Sequence, residues 1–198
     1  PFSPGHETPS SLQPLPVGRV LLTTPALDTT ASPNGWINDG VNITSGNNAD
    51  AYTDTNADNV ADLPRTTGSP SRVFDFPFDL TQPPANQKDA SVTQLFYWTN
   101  FMHDRMYQLG FTEAAGNFQV DNFGRGGLGN DPVYAEAQDG SGSNNANFST
   151  PVDGGSGRLQ MYNWTGPNPT VTVHSRRKGC CTRMRTARAT GSWAGPPW

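Results

Sequence analysis

Cysteine and charge are both scarce in this 198-residue sequence. The only cysteines, Cys180 and Cys181, are adjacent, and a vicinal pair makes neither an easy intrachain bridge nor a zinc knuckle. A disulfide framework is therefore excluded. Charged residues make up 15% of the chain and hydrophobic residues 33%, with a mean hydropathy of -0.61. No apolar run reaches the roughly 18 residues that a membrane-spanning helix needs. An initial methionine and a signal-peptide pattern are also missing: the chain opens Pro1-Phe2-Ser3-Pro4-Gly5, which predicts a processed or truncated product.

Turn-formers and aromatics fill the gap. There are 21 glycines, 18 prolines, ten Phe, five Trp and five Tyr, so a lean core is built from a few large pieces. Charge is unevenly spread: all 17 acidic residues lie at or before Asp153, and from Gly154 onward the chain carries basic residues only. The body is thus acidic and the tail basic.

The most periodic stretch runs from Asp89 to Leu109. Val92, Leu95, Phe96, Met102, Met106 and Leu109 recur at three- and four-residue steps, which predicts one helix of about 20 residues with Asp89 as N-cap and Gly110 as C-cap. Tyr97, Trp98 and Phe101 widen the apolar face, so the helix is expected at the centre of the domain.

Around it, turn signals such as Asn34-Gly35 and Gly46-Asn47 separate strand-sized pieces, among them Val20-Leu21-Leu22, Gly35-Trp36-Ile37 and Ala51-Tyr52-Thr53. Phe74 to Asp79 reads as an extended edge segment and Glu113-Ala-Ala as a brief helical turn before Gly116. Pro132 to Ala137 and Arg158 to Trp164 alternate in strand fashion, with Leu159, Met161 and Asn163 facing one way. Residues 1–18, with five prolines, read as an extended arm; residues 19–168 form the body and 169–198 an irregular basic tail. The fold class is α+β.

Few side chains offer chemistry. His103 sits on the helix beside Asp104 and one turn before Tyr107, and reads as a structural histidine held by its neighbours; Glu113 and Glu136 read likewise. Asp50, Asp54, Asp58 and Asp62 recur every four residues and could offer calcium a set of oxygens, although the order of a calcium loop and its distal glutamate are missing. Ser141 and Ser143 lack a nucleophile elbow. The cluster around Arg176, Arg177 and Lys178 has no interleaved aromatic before Trp193, so nucleic acid is not the expected partner. Three sequons, at Asn42, Asn147 and Asn163, permit glycosylation on a secretory route.

Several motifs together carry a resemblance. Leu95-Phe-Tyr-Trp-Thr-Asn-Phe-Met-His-Asp104, Gly110 to Gln119, Asn122-Phe-Gly124, Gly129 to Val133, Ala135 to Phe148 and Arg158-Leu-Gln-Met-Tyr162 closely resemble the fungalysin family of secreted zinc metalloendopeptidases. The likeness covers about residues 80 to 167, with a weaker extension through Pro33 to Trp36 and Asn47 to Tyr52. It implies the β-rich N-terminal subdomain of a thermolysin-like metallopeptidase, secreted, with a helical C-terminal subdomain and a prodomain as partners and a peptide or protein as substrate. It also implies that Asn145 and Ala146 lie on an edge strand that pairs with the substrate backbone.

The resemblance further implies zinc, held by two histidines of a His-Glu-x-x-His helix and a downstream glutamate. That motif does not occur in this sequence. Laying His174 over the first zinc histidine puts Ser175 at the general base and Lys178 at the second ligand, and neither side chain suits its role. Two explanations stay open: divergence into a noncatalytic extracellular peptide-binding or structural module, or a shifted reading frame near residue 169. The expectation for the chain as it stands is a protease fragment without its zinc site.

Overall fold

A computed structural model describes residues 21–38, 40–79 and 82–165, together with the backbone of 171–172. The N-terminal arm, Val20, His6, His174 and the vicinal cysteines all lie outside the described residues.

The predicted helix is present as α1, Lys88–Gln108. Its N-cap is Gln87, at the end of a 3-10 turn over Pro84–Gln87, and not Asp89. Asp89 lies within the first turn, where a carboxylate complements the helix dipole, and accepts a hydrogen bond from Thr66 Oγ1 at 2.8 Å. At the other end Gly110, at φ 101°, sits just past the cap residue Leu109. The Gly110 N–H donates to Tyr107 O and the Phe111 N–H to Met106 O, the paired bonds of a Schellman stop.

The burial of α1 departs from the sequence expectation. Met102, Met106 and Leu109 are 49%, 43% and 81% exposed. The buried face passes from Val92 and Phe96 to Asn100 and Asp104 at four-residue steps, so it is continued by polar residues. Met102 and Met106 each follow that face by two residues, which turns them to roughly the opposite side of the helix.

Five strands form one mixed sheet: β1 (Ala49–Thr53), β2 (Val133–Ser143), β3 (Ala146–Ser149), β4 (Arg158–Trp164) and β5 (Val171–Thr172). The order is β1-β2-β4-β3, with β5 also against β4. β1, β2 and β4 run parallel, and β3 is antiparallel to β4. Ala49 and Ala51 on β1 and Ala135 and Ala137 on β2 turn their small side chains to the core. They join Val92, Leu95, Phe96 and Tyr97 of α1 there, and Leu159 and Met161 of β4 pack alongside.

Among the described residues of the front half the expected series of strands reduces to β1, the isolated bridges Ile43↔Thr67 and Ser45↔Asp50, and bridge positions at Leu21, Leu22 and Phe74. Trp36 and Ile37 are buried, but in a bend and not a strand, because the chain there closes tightly on Gly46. A Cβ on Gly46 would stand 1.8 Å from the Trp36 carbonyl oxygen. The segment from Phe74 to Asp79 pins the front half to the core through the fully buried Phe74, without forming a named strand. Glu113–Ala115 makes the expected 3-10 turn, closed by Gly116.

Truncating the two sides of α1 should therefore give unequal results. Phe96→Ala is expected to cost about 3–5 kcal/mol, whereas Met106→Ala should stay within about 0.5 kcal/mol. Urea unfolding measures both, and a large loss at Met106 would contradict the assigned orientation.

Candidate functional site

The sheet has two chemically different faces. Register places Tyr52 of β1 opposite Glu136 of β2, Glu136 opposite Gln160 of β4, and Gln160 opposite Asn147 of β3. Strand alternation turns this row away from the alanine-lined face. Its members are hydrogen-bonded in sequence: Tyr52 Oη donates to Glu136 Oε1 at 3.1 Å, Gln160 Nε2 to Glu136 Oε2 at 2.9 Å, and Asn147 Nδ2 to Gln160 Oε1 at 2.9 Å.

Asp139 joins the row because β2 is irregular. Gln138 takes φ 53°, and the register with β4 shifts between Ala137 and Asp139. Such a bulge re-aims the next side chain. Asp139 Oδ2 consequently accepts a second bond from Gln160 Nε2 at 2.9 Å. Asp54, just past β1, completes a buried group in which one ligand oxygen from each of Asp54, Glu136 and Asp139 lies within 4.8 Å of the others.

Burial raises the carboxyl pKa of Glu136 above its ordinary value, against the lowering effect of Gln160 and Arg158. Burial also raises Asp54, although the Asn59 and Asp58 N–H groups oppose it. The Tyr52 phenol is pushed up, first by burial and then by the adjacent Glu136 carboxylate. Arg158 Nε approaches Glu136 Oε1 at 3.4 Å, so the cluster is partly neutralised.

The aspartates considered for calcium do not act together. Asp54 turns into the buried group, Asp50 pairs with Arg65, Asp62 accepts from Thr55, and Asp58 accepts from Asn56 and Val60 within its own turn. A two-histidine zinc set is not available among the described residues. The gathered oxygens are all carboxylate, and His103 is the one histidine described. Its Nδ1 lies 3.0 Å from Asp104 Oδ1 and its Nε2 lies 3.4 Å from Asn117 Nδ2, so both ring nitrogens are engaged within the fold. Asp104 also accepts from Ser32 Oγ at 2.6 Å and Trp36 Nε1 at 2.8 Å, tying the front loops to α1. The Tyr107 ring centroid lies 6.3 Å from that of His103.

β3 is the last strand in the order, and its outer edge has no strand partner among the described residues. Asn145 is exposed and Ala146 partly buried at its start. Asn144, at φ 57°, turns the chain across the end of β4, where its N–H donates to Asn163 O at 2.9 Å and its Oδ1 accepts from Thr165 N at 2.8 Å. At two sequons the nitrogen a glycan would use is already donating: Asn42 Nδ2 to Gly68 O and Ser69 O, and Asn147 Nδ2 to Gln160 and Tyr162. Asn163 sits half-buried in the inner strand β4.

Sequence reasoning did not bring the Tyr52-Glu136-Gln160-Asn147 row together. Its signal was the alternation itself, which sets Glu136 between Ala135 and Ala137, and Gln160 between Leu159 and Met161.

A mixed sheet with one long helix on its alanine face and an open edge strand is the α+β build of the N-terminal subdomain of a fungalysin-type metallopeptidase. The family model "Fungalysin metallopeptidase (M36)" matches residues 8–192, and the chain belongs to that family. It is 44% identical over 185 residues to Extracellular metalloproteinase MEP of Pyricularia oryzae, covering 86% of this chain and 29% of that protein. It is 48% identical over 168 residues to Extracellular metalloproteinase 3 of Trichophyton soudanense, covering 79% of this chain and 43% of the relative. The same identity over 168 residues holds for Extracellular metalloproteinase 3 of Trichophyton rubrum, with 79% and 26% covered. The chain thus spans less than half the length of these relatives.

The raised carboxyl of Glu136 has a consequence for stability. Between its ordinary value of 4.5 and its raised value the folded chain holds a proton that the unfolded chain has released. This contribution is therefore favourable at low pH and is lost as pH rises through that window. Glu136→Gln should make the fall in stability as pH rises above the ordinary value of 4.5 shallower, leaving the part due to Asp54. Urea midpoints across the range measure this, and equal slopes in both proteins would contradict it.

Proposed function

We propose that this chain is the substrate-aligning part of an extracellular zinc endopeptidase. The observation that carries the reading is the outer edge of β3, which has no strand partner among the described residues, in a chain of the fungalysin metallopeptidase family. An exposed strand edge offers unpaired backbone N–H and C=O groups, and an extended peptide can satisfy them by adding as a further strand. Ala146 at the start of that edge and Asn145 just before it are the contacts, Asn145 through its side chain because its carbonyl already accepts from the Tyr162 N–H. The names of the relatives, extracellular metalloproteinases, support an extracellular setting and metal-dependent proteolysis. No helix among the described residues is long and apolar enough to cross a membrane.

In the complete reaction, zinc would supply an activated water. The described residues do not fit that ion, and the sequence contains no His-Glu-x-x-His motif. This chain's part is to fix the direction and register of the peptide; a helical C-terminal subdomain would supply the metal ligands, and a prodomain is a further partner. Without those groups the 198 residues bind and do not cleave.

The test combines the purified 198-residue chain with a fluorescent peptide, with and without added zinc. Expected are saturable binding, slower hydrogen exchange in β3 and no cleavage. Chelator-sensitive cleavage would sink the inactive-fragment reading, and a lack of binding would sink the edge reading.

A further inference from the structure

The polar row ends on the strand that is open to a peptide. Every hydrogen bond along it points toward Glu136: Tyr52 donates from one side, and Asn147 donates to Gln160, which donates onward, from the other. The orientation of the Gln160 amide follows from its neighbours. Glu136 and Asp139 present acceptor oxygens at 2.9 Å each, and Asn59 Oδ1 lies at 3.4 Å, so the NH₂ end must face inward. The carbonyl end then faces β3 and can only accept. Asn147 supplies the donor there, and its amide also reaches Tyr162 Oη.

We propose that Gln160 is a positioning residue for peptide recognition: its amide, oriented by Glu136 and Asp139, anchors Asn147 and thereby holds the outer edge of β3 in the geometry a peptide strand requires. This rests on reading β3 as the peptide-aligning edge. Backbone pairing alone leaves β3 weakly held, since it has four residues and a partner on one side only. The side-chain bond to Gln160 ties that short strand to groups that are fully buried.

The chemistry sets a directional requirement. The residue at 160 must donate inward and accept outward at the same time. Methionine fills the space and does neither. Glutamate accepts outward, but when ionised it faces Glu136 and Asp139 without a donor. A protonated glutamate donates inward through its hydroxyl and accepts through its other oxygen, restoring the chain of bonds. The titratable and charged groups around this point are Glu136 and Asp139 from β2, Tyr52 and Asp54 from β1 and the residue after it, and Arg158 and Tyr162 from β4.

The experiment compares the 198-residue chain with Gln160→Met and Gln160→Glu at about pH 5 and pH 8. It reads the hydrogen-exchange protection of Asn147–Ser149 against that of α1, and affinity for the fluorescent peptide. Gln160→Met is expected to lose protection in β3 and about tenfold in affinity at both pH values, as for a lost hydrogen bond. Gln160→Glu should do the same at the higher pH and recover both at the lower. Unchanged protection and affinity in Gln160→Met, or no acid recovery in Gln160→Glu, would overturn the proposal. Should the unaltered chain bind no peptide, the edge reading fails by itself. The exchange arm then still decides the anchor: acid-recoverable loss of β3 protection sustains it, and unchanged protection overturns it.

Discussion

The structure depends on the close approach of α1 to the alanine-lined face of β1 and β2. Ala49, Ala51, Ala135 and Ala137 are almost fully buried, and their small side chains leave room for Val92, Leu95, Phe96 and Tyr97. Larger residues on the strands would force the helix away and open voids that this lean chain could not fill. The large volumes sit instead on the helix and on Phe74, which enters the core from the front half. The alternation of β2 follows from the same constraint: if alanines face the helix, the intervening Tyr134 and Glu136 face the other way.

A small apolar core leaves much of the interior to polar groups, and these are wired by side chains of intermediate length. Asn48 donates to Ser32 Oγ and Asn100 Oδ1, Ser32 donates to Asp104, and Trp36 donates to the other Asp104 oxygen. Glu113 is buried beneath Arg125, which also donates to Thr30 O and Tyr107 Oη. Such networks fix loops that have no regular structure of their own, because an unpaired buried group is costly. Among the described residues the front half therefore holds its shape with one named strand where the turn-rich sequence implies several. His103 belongs to this wiring through Asp104 and Asn117.

The parts legible in the sequence are those with a local cause. The bounds of β4, the 3-10 turn before Gly116 and the stop of α1 at Gly110 each follow from alternation or from a glycine at a positive φ. The burial of α1 was not legible, because Asn100 and Asp104 continue the buried face while Met102 and Met106 carry the apolar signal. Only their distant partners, Asn48, Ser32 and Trp36, reveal why polar residues point inward. The gathering of Asp54, Glu136 and Asp139 was likewise hidden. It needs parallel pairing across 84 positions of sequence, from Tyr52 to Glu136, and a bulge at Gln138 that no composition signal announces.

A parallel arrangement of β1, β2 and β4 also explains why the open edge falls where it does. After the bulge at Gln138 the chain must still cross the end of β4, and Asn144 makes that crossing with a left-handed backbone. β3 then returns antiparallel along the far side of β4, so its outer edge faces away from the core. An edge so short would ordinarily fray, and a frayed edge cannot set the register of a partner strand. The row from Tyr52 through Glu136 and Gln160 to Asn147 counters this by linking the outermost strand to the innermost ones on the face that the helix does not cover. The two faces of the sheet thus divide the work: alanines and α1 hold the sheet together, and the polar row keeps its edge ordered.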